Sequence, residues 1–96
     1  MDRPLRILIL EDVASDAEMI LYELRQAQIP FSSKQVDEEA LFLRELEEFE
    51  PDLILSDYSL PGYDGLTALK QVRAVRPDAP FIFVSGAMGE EVAINM

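Results

Sequence analysis

Three short runs in this chain, Leu5-Arg6-Ile7-Leu8-Ile9-Leu10, Leu53-Ile54-Leu55-Ser56 and Phe81-Ile82-Phe83-Val84, are apolar at nearly every position rather than at every second one. A strand with one wet face alternates between apolar and polar residues. A strand that reads as an unbroken apolar run must be covered on both faces, which is the habit of parallel sheets flanked by helices. The segments between the runs carry helical spacing, so strand and helix alternate along the chain. That order predicts a parallel sheet with right-handed crossovers and helices on both faces.

The elements follow from local signals. Leu5 to Leu10 is the first strand. Ser15-Asp16-Ala17-Glu18 has the form of a capping box, and Ile20, Leu21, Leu24 and Ala27 supply the apolar stripe of a helix stopped by Pro30. Phe31 to Val36, apolar only at its ends, is a weaker strand that belongs at a sheet edge. Asp37 can cap a second helix, with Ala40, Leu41, Leu43, Leu46 and Phe49 facing the core and Pro51 beyond its end. The third strand, Leu53 to Ser56, delivers Asp57 to a loop whose Pro61-Gly62 and Asp64-Gly65 pairs mark sharp turns. Asp64 is placed to cap a third helix carrying Leu66, Leu69, Val72 and Val75. Phe81 to Val84 is the fourth strand, with Phe81 and Phe83 in the core, and a further helix is expected to begin at Glu90-Glu91.

Composition narrows the chemistry. Ninety-six residues allow one small domain. The net charge of −11 argues against binding nucleic acid, and no apolar stretch approaches the roughly 20 residues that span a bilayer. Neither a signal-peptide core nor a cysteine is present, so a cytoplasmic location is expected and thiolate metal sites and disulfides are excluded. The absence of histidine removes the commonest zinc ligand and the commonest general base. Glutamates 38, 39, 45, 47, 48 and 50 read as the solvated face of the second helix.

The acids at the strand ends are a different matter. Glu11-Asp12 follows the first strand and Asp57 the third, so a parallel sheet brings three carboxylates to one edge. Two like charges about 4 Å apart repel by roughly 4 kcal/mol at an effective dielectric near 20. A hard, oxygen-seeking cation such as Mg²⁺ answers that repulsion, since it binds through one or two carboxylates and leaves positions open for phosphate oxygens. Ligands of open parallel sheets also sit beyond the carboxyl ends of the strands. The pattern reads as a divalent-metal phosphoryl site.

Glu11-Asp12, the segment Asp57-Tyr58-Ser59-Leu60-Pro61-Gly62-Tyr63-Asp64-Gly65 and Ser85-Gly86-Ala87 together resemble the receiver domain of two-component response regulators, from Leu5 to the end of the chain. The resemblance implies an α/β, flavodoxin-like doubly wound sheet of strand order 2-1-3-4. It implies that Asp57 is the phosphoacceptor, taking a phosphoryl group from a sensor histidine kinase, a histidine phosphotransfer protein or a small phosphodonor. By the same carry-over Asp12 and Asp57 bind Mg²⁺ through carboxylate oxygens, Ser59 offers its main-chain carbonyl, Glu11 acts directly or through water, and Ser85 contacts the phosphoryl group. Such a module is a switch rather than a turnover enzyme. A carboxylate nucleophile needs no general base, so the lack of histidine is no obstacle.

Family members continue into a fifth strand bearing a lysine that meets the phosphoryl group, and then a fifth helix. Neither Lys34, by the second strand, nor Lys70, in the third helix, stands at that position. The expectation is therefore a receiver domain over residues 1–96 that lacks this strand and helix, with an open fourth strand that self-associates, leans on a partner, or belongs to a longer protein that completes it. Two other readings compete. An aspartyl phosphatase of the haloacid dehalogenase type would need Asp-x-Asp after the first strand, where Glu11-Asp12-Val13 stands. A receiver-shaped interaction module working without phosphate would have lost acceptor or metal acids, and all are present. Tyr58 and Tyr63 flank the site and are expected to cover the sheet edge.

Overall fold

The computed structural model describes residues 3–57, 62–84 and 93–95. Its elements are β1 (Leu5–Leu10), α1 (Ala14–Gln26), β2 (Phe31–Val36), α2 (Glu39–Glu48), β3 (Leu53–Asp57), α3 (Gly65–Val75), β4 (Phe81–Val84) and β5 (Ala93–Asn95). They form one sheet in the order β2-β1-β3-β4-β5. The first four strands are parallel, in registers that pair Leu10 with both Val36 and Ser56 and Asp57 with Val84. This is the expected 2-1-3-4 arrangement, with the polar strand β2 at the edge. No helix among the described residues is long and apolar enough to cross a membrane.

The apolar runs sort their side chains by parity. Leu8, Leu10, Ile54, Phe81 and Phe83 face α2 and α3, where they meet Phe42, Leu46, Ala68 and Val72. Ile7, Ile9 and Leu55 face the other way, toward Ile20, Leu21 and Leu24 of α1. Ile7 through Leu10 are all buried, which is why β1 shows no polar alternation. On the α1 face Leu53, Ile82 and Val84 are only partly covered.

Several local expectations are corrected. Helix α1 starts at Ala14 with Val13 in the extended capping position and no side-chain cap, so Ser15 lies inside the helix and its capping box does not form. The Val13 amide instead donates back to Glu11 Oε2 at 3.1 Å. Helix α2 is capped by neither Asp37 nor any other side chain. Its buried face is turned from the expected one: Phe42, Glu45 and Leu46 are inside, while Ala40 and Leu43 are exposed. Phe42 carries the largest apolar surface on the helix and takes the core position, against the ring of Tyr63 at 6.0 Å. Glu45 follows it inward, its carboxylate held by Lys34 and Arg44, each at 3.4 Å. In α3, Asp64 caps as expected, accepting from the Thr67 amide at 2.8 Å. Ala68 and Val72 are buried there, whereas Leu66 and Val75 face solvent.

The end of the chain differs most. In place of a helix from Glu90, Ala93–Asn95 is a strand, antiparallel to β4, with Phe83 opposite Ile94; residues 90–92 lie outside the described part. The slot beside β4 is filled, so the open fourth-strand edge expected to drive self-association is paired. Main-chain groups of an apolar edge strand need partners, and Ala93–Asn95 supplies them.

At the opposite end of the sheet a clamp joins β1 to β3. Asp52 takes two hydrogen bonds from the Arg3 guanidinium, at 2.7 and 2.8 Å, and one from the Arg6 amide at 2.8 Å. Its own amide donates to the Arg6 carbonyl at 2.7 Å. The Arg3 bonds, then the Arg6 amide, hold the Asp52 carboxyl down to about 2. A carboxyl depressed below its ordinary value of 3.8 contributes stability that is present above that value and is lost as pH falls toward 2. Asp52→Ala should destabilise the fold by about 1–2 kcal/mol at pH 7, allowing for the partly exposed Arg3. The difference should vanish in melts near pH 2; a variant equal to the parent at neutral pH would show that the clamp holds nothing.

Candidate functional site

The site is built by the strand ends. Because Leu10 is opposite Ser56 in the β1–β3 ladder, the next residues, Glu11 and Asp57, leave the sheet side by side. Asp12 follows Glu11 out into solvent, Asp57 is half-buried, and Glu11 is 1% exposed. Each offers a carboxylate oxygen, and the three oxygens lie within 4.8 Å of one another. Among the described residues this is the one group of three acids close enough to share a cation.

Main-chain bonds fix the Glu11 end. Its amide donates to the Val36 carbonyl at 3.0 Å, extending the ladder with β2 by one residue. Its carbonyl accepts from Gln35 Nε2 at 3.0 Å, and its carboxylate accepts the Val13 amide. On β3, the buried Ser56 hydroxyl donates to the Asp57 carbonyl at 2.8 Å. Sequence reading passed over Gln35 and Ser56, since both are ordinary strand residues whose role comes from the neighbouring strand or the turn.

Burial pushes the Glu11 carboxyl up to about 7, against the opposing Val13 hydrogen bond, and the charges of Asp57, Asp16 and Asp12 push the same way. A carboxylate removed from water beside two others is a group in want of a positive charge. The donor set is entirely oxygen, which suits a hard divalent ion and not a soft one. Glu11, Asp12 and Asp57 therefore fit the Mg²⁺ that the sequence suggests.

Of the other expected site residues, Ser59 and Ser85 lie outside the described residues, as does Tyr58. Val84, the residue before Ser85, pairs with Asp57. Tyr63 is buried rather than lying over the edge, and its hydroxyl is bonded to Gln71, which donates to Glu39 at 2.7 Å. That chain of contacts ties the loop after β3 to α3 and α2, and burial keeps the Tyr63 phenol protonated. Lys34 is engaged with Glu45 and stands 5.6 Å from the centre of the Phe49 ring, on the α2 side of β2.

Comparison with known proteins agrees with this geometry. Residues 7–96 match the response regulator receiver domain family. The phosphate regulon transcriptional regulatory protein PhoB of Klebsiella pneumoniae is 36% identical over 88 residues, covering 90% of this chain and 37% of PhoB. The sensor kinase CckA of Brucella abortus is 41% identical over 58 residues, covering 60% of this chain and 6% of CckA. The chain thus spans little more than a third of the one relative and a small part of the other. Among solved structures, a putative response regulator from Chloroflexus aurantiacus superposes with a TM-score of 0.73 at 29% identity, over 84% of this chain and 66% of that one. With a family match over nearly its whole length and a sheet that superposes on a response regulator, this chain belongs to the response regulator receiver domain family.

Proposed function

We propose that this chain is the phosphoacceptor module of a histidine-to-aspartate signalling system, with Asp57 as the acceptor. The observation that carries the reading is the convergence of the Glu11, Asp12 and Asp57 oxygens within 4.8 Å at the carboxyl edge of the sheet. An Asp57 oxygen attacks the phosphorus of a phosphohistidine or a small phosphodonor. The bond to the leaving group breaks, and an acyl phosphate remains on Asp57. Asp12 and Asp57, with Glu11 assisting, hold Mg²⁺, which neutralises charge on the transferring group. On the family resemblance the Ser59 carbonyl completes the metal set and the Ser85 hydroxyl contacts a phosphoryl oxygen. The donor is a sensor histidine kinase or a histidine phosphotransfer protein, and the location is cytoplasmic. A carboxylate that keeps the phosphoryl group as a state is a switch, not a turnover enzyme. That the relatives include a protein named as a transcriptional regulator and one named as a sensor kinase is in keeping with this setting.

Asp57→Asn should take up no phosphoryl group from acetyl phosphate, since the amide matches the carboxylate in shape but is a poor nucleophile. Removing one of three like charges should leave the metal-free fold as stable as the parent or up to about 1 kcal/mol more so. Mass spectrometry with peptide mapping checks the site, and label on any other residue refutes the assignment.

A second outcome concerns protons. A carboxyl raised from 4.5 to about 7 on folding binds more protons in the native state, so its contribution to metal-free stability is full below 4.5 and declines as pH rises toward 7. Mg²⁺ must displace that proton. Its apparent affinity, measured by calorimetry, should rise about tenfold between pH 6 and pH 8. Glu11→Gln should flatten the dependence; a parent protein with equal affinity at the two pH values would remove Glu11 from the site.

A further inference from the structure

The first residue of α3 is packed more tightly against the site than any residue type but glycine allows. Gly65 is buried, and a methyl group built on its Cα would stand 2.8 Å from the main-chain oxygen of Asp57 and would overlap the edge of the Phe83 ring. Its φ is ordinary for a helix, so the requirement is for space and not for a left-handed backbone.

Neither side of this contact is free to yield. The helix start is pinned by the Asp64 side chain on the Thr67 amide at 2.8 Å and by the Asp64 carbonyl, which accepts from Ala68 at 3.2 Å. Two residues before Gly65, Tyr63 is locked between Phe42 and Gln71. Phe83 is 4% exposed and edge-on to Phe81 at 5.2 Å, in a strand paired on both sides. The third group in the contact, the Asp57 carbonyl, stands at the end of β3 and accepts the Ser56 hydroxyl, so a methyl at Gly65 would bear directly on the main chain of Asp57.

We propose that Gly65 is a positioning residue for the Asp57 site: by lacking a Cβ it lets α3 close onto the Asp57 carbonyl and the Phe83 ring, and that closure fixes the acceptor carboxylate among its partners. The inference rests on the reading of Asp57 as a metal-binding phosphoacceptor. It adds a residue that meets neither metal nor phosphoryl group yet sets where both are met. Mg²⁺ demands near-octahedral geometry and in-line transfer demands alignment, and a misplacement of about 1 Å can cost on the order of a hundredfold in rate.

The test uses the full-length protein with Gly65→Ala, Phe83→Leu and the two combined. Three quantities are read at a temperature well below every melting midpoint: Mg²⁺ affinity by calorimetry, the rate of labelling by acetyl phosphate at saturating Mg²⁺, and the melting midpoint itself. A merely local packing role for Gly65 predicts a lower midpoint in Gly65→Ala, from the methyl overlapping its neighbours, with affinity and rate unchanged. The positioning role predicts weaker Mg²⁺ binding and labelling slowed at least about tenfold. It also predicts that the double variant regains melting midpoint but neither affinity nor rate, because the leucine removes the ring contact and leaves the methyl 2.8 Å from the Asp57 main-chain oxygen. Parent-like affinity and rate in Gly65→Ala, or their full recovery in the double variant, would overturn the proposal. A parent protein that takes up no label would count against the acceptor reading alone, since Mg²⁺ affinity still reports on Gly65.

Discussion

Everything in this molecule answers to the repulsion among carboxylates gathered at one end of a parallel sheet. Parallel strands leave the sheet at a common edge, so acids placed after β1 and β3 are forced together by the topology itself. Water screens the repulsion between the exposed Asp12 and the half-buried Asp57, while the buried Glu11 is deprived of that screening. The protein absorbs this in two ways. Glu11 is buried deeply enough to keep its proton up to about pH 7, and the sheet is anchored at its other end, where Arg3 and the Arg6 amide converge on Asp52. Charge is unfavourable at the acidic edge and favourable at the opposite one.

The apolar layers supply what the charges cannot. Fully burying a leucine, isoleucine or phenylalanine side chain contributes about 1.5–3 kcal/mol, and the α2–α3 face alone holds Leu8, Leu10, Phe42, Ile54, Phe81 and Phe83 at or near full burial. Those same side chains set the stage for the site. Phe42 receives Tyr63 and Phe83 backs Gly65, so the start of α3 is held against the core at two points. Packing and function are one structure here, which is why a methyl group remote from any ligand can matter.

Much of this was legible in the sequence because the strands are unalternating and their ends are acidic. The bounds of β1, β2 and β4, the order 2-1-3-4, the Asp64 cap and the meeting of Glu11, Asp12 and Asp57 all follow from pattern and topology. What failed were features decided by competition. Ser15 and Asp37 have cap-forming side chains, but the Val13 amide was satisfied by Glu11 and α2 began at Glu39 with Glu38 in the capping position, so neither was used. The face of α2 could not be read from hydrophobicity alone, since Leu41, Phe42 and Leu43 are consecutive, and it is Phe42 that meets the Tyr63 ring. Burial of Glu45 depended on Lys34 arriving from β2. The strand at Ala93–Asn95 answered a demand of the sheet edge that no local pattern announces. Gly65 had a visible reason, the turn pair Asp64-Gly65, that hid its actual one.

The Arg3–Asp52 clamp has a practical consequence for handling the protein. It sits where β1 begins, a six-residue strand away from the carboxylates at its other end, which is about 20 Å of extended chain. A purification tag, a biotin or a fluorescent dye joined upstream of Arg3 therefore projects from the pole opposite the acidic edge. Such a reporter can be immobilised or excited without crowding the acidic edge where we propose a phosphodonor docks, provided that Arg3 itself is left in place.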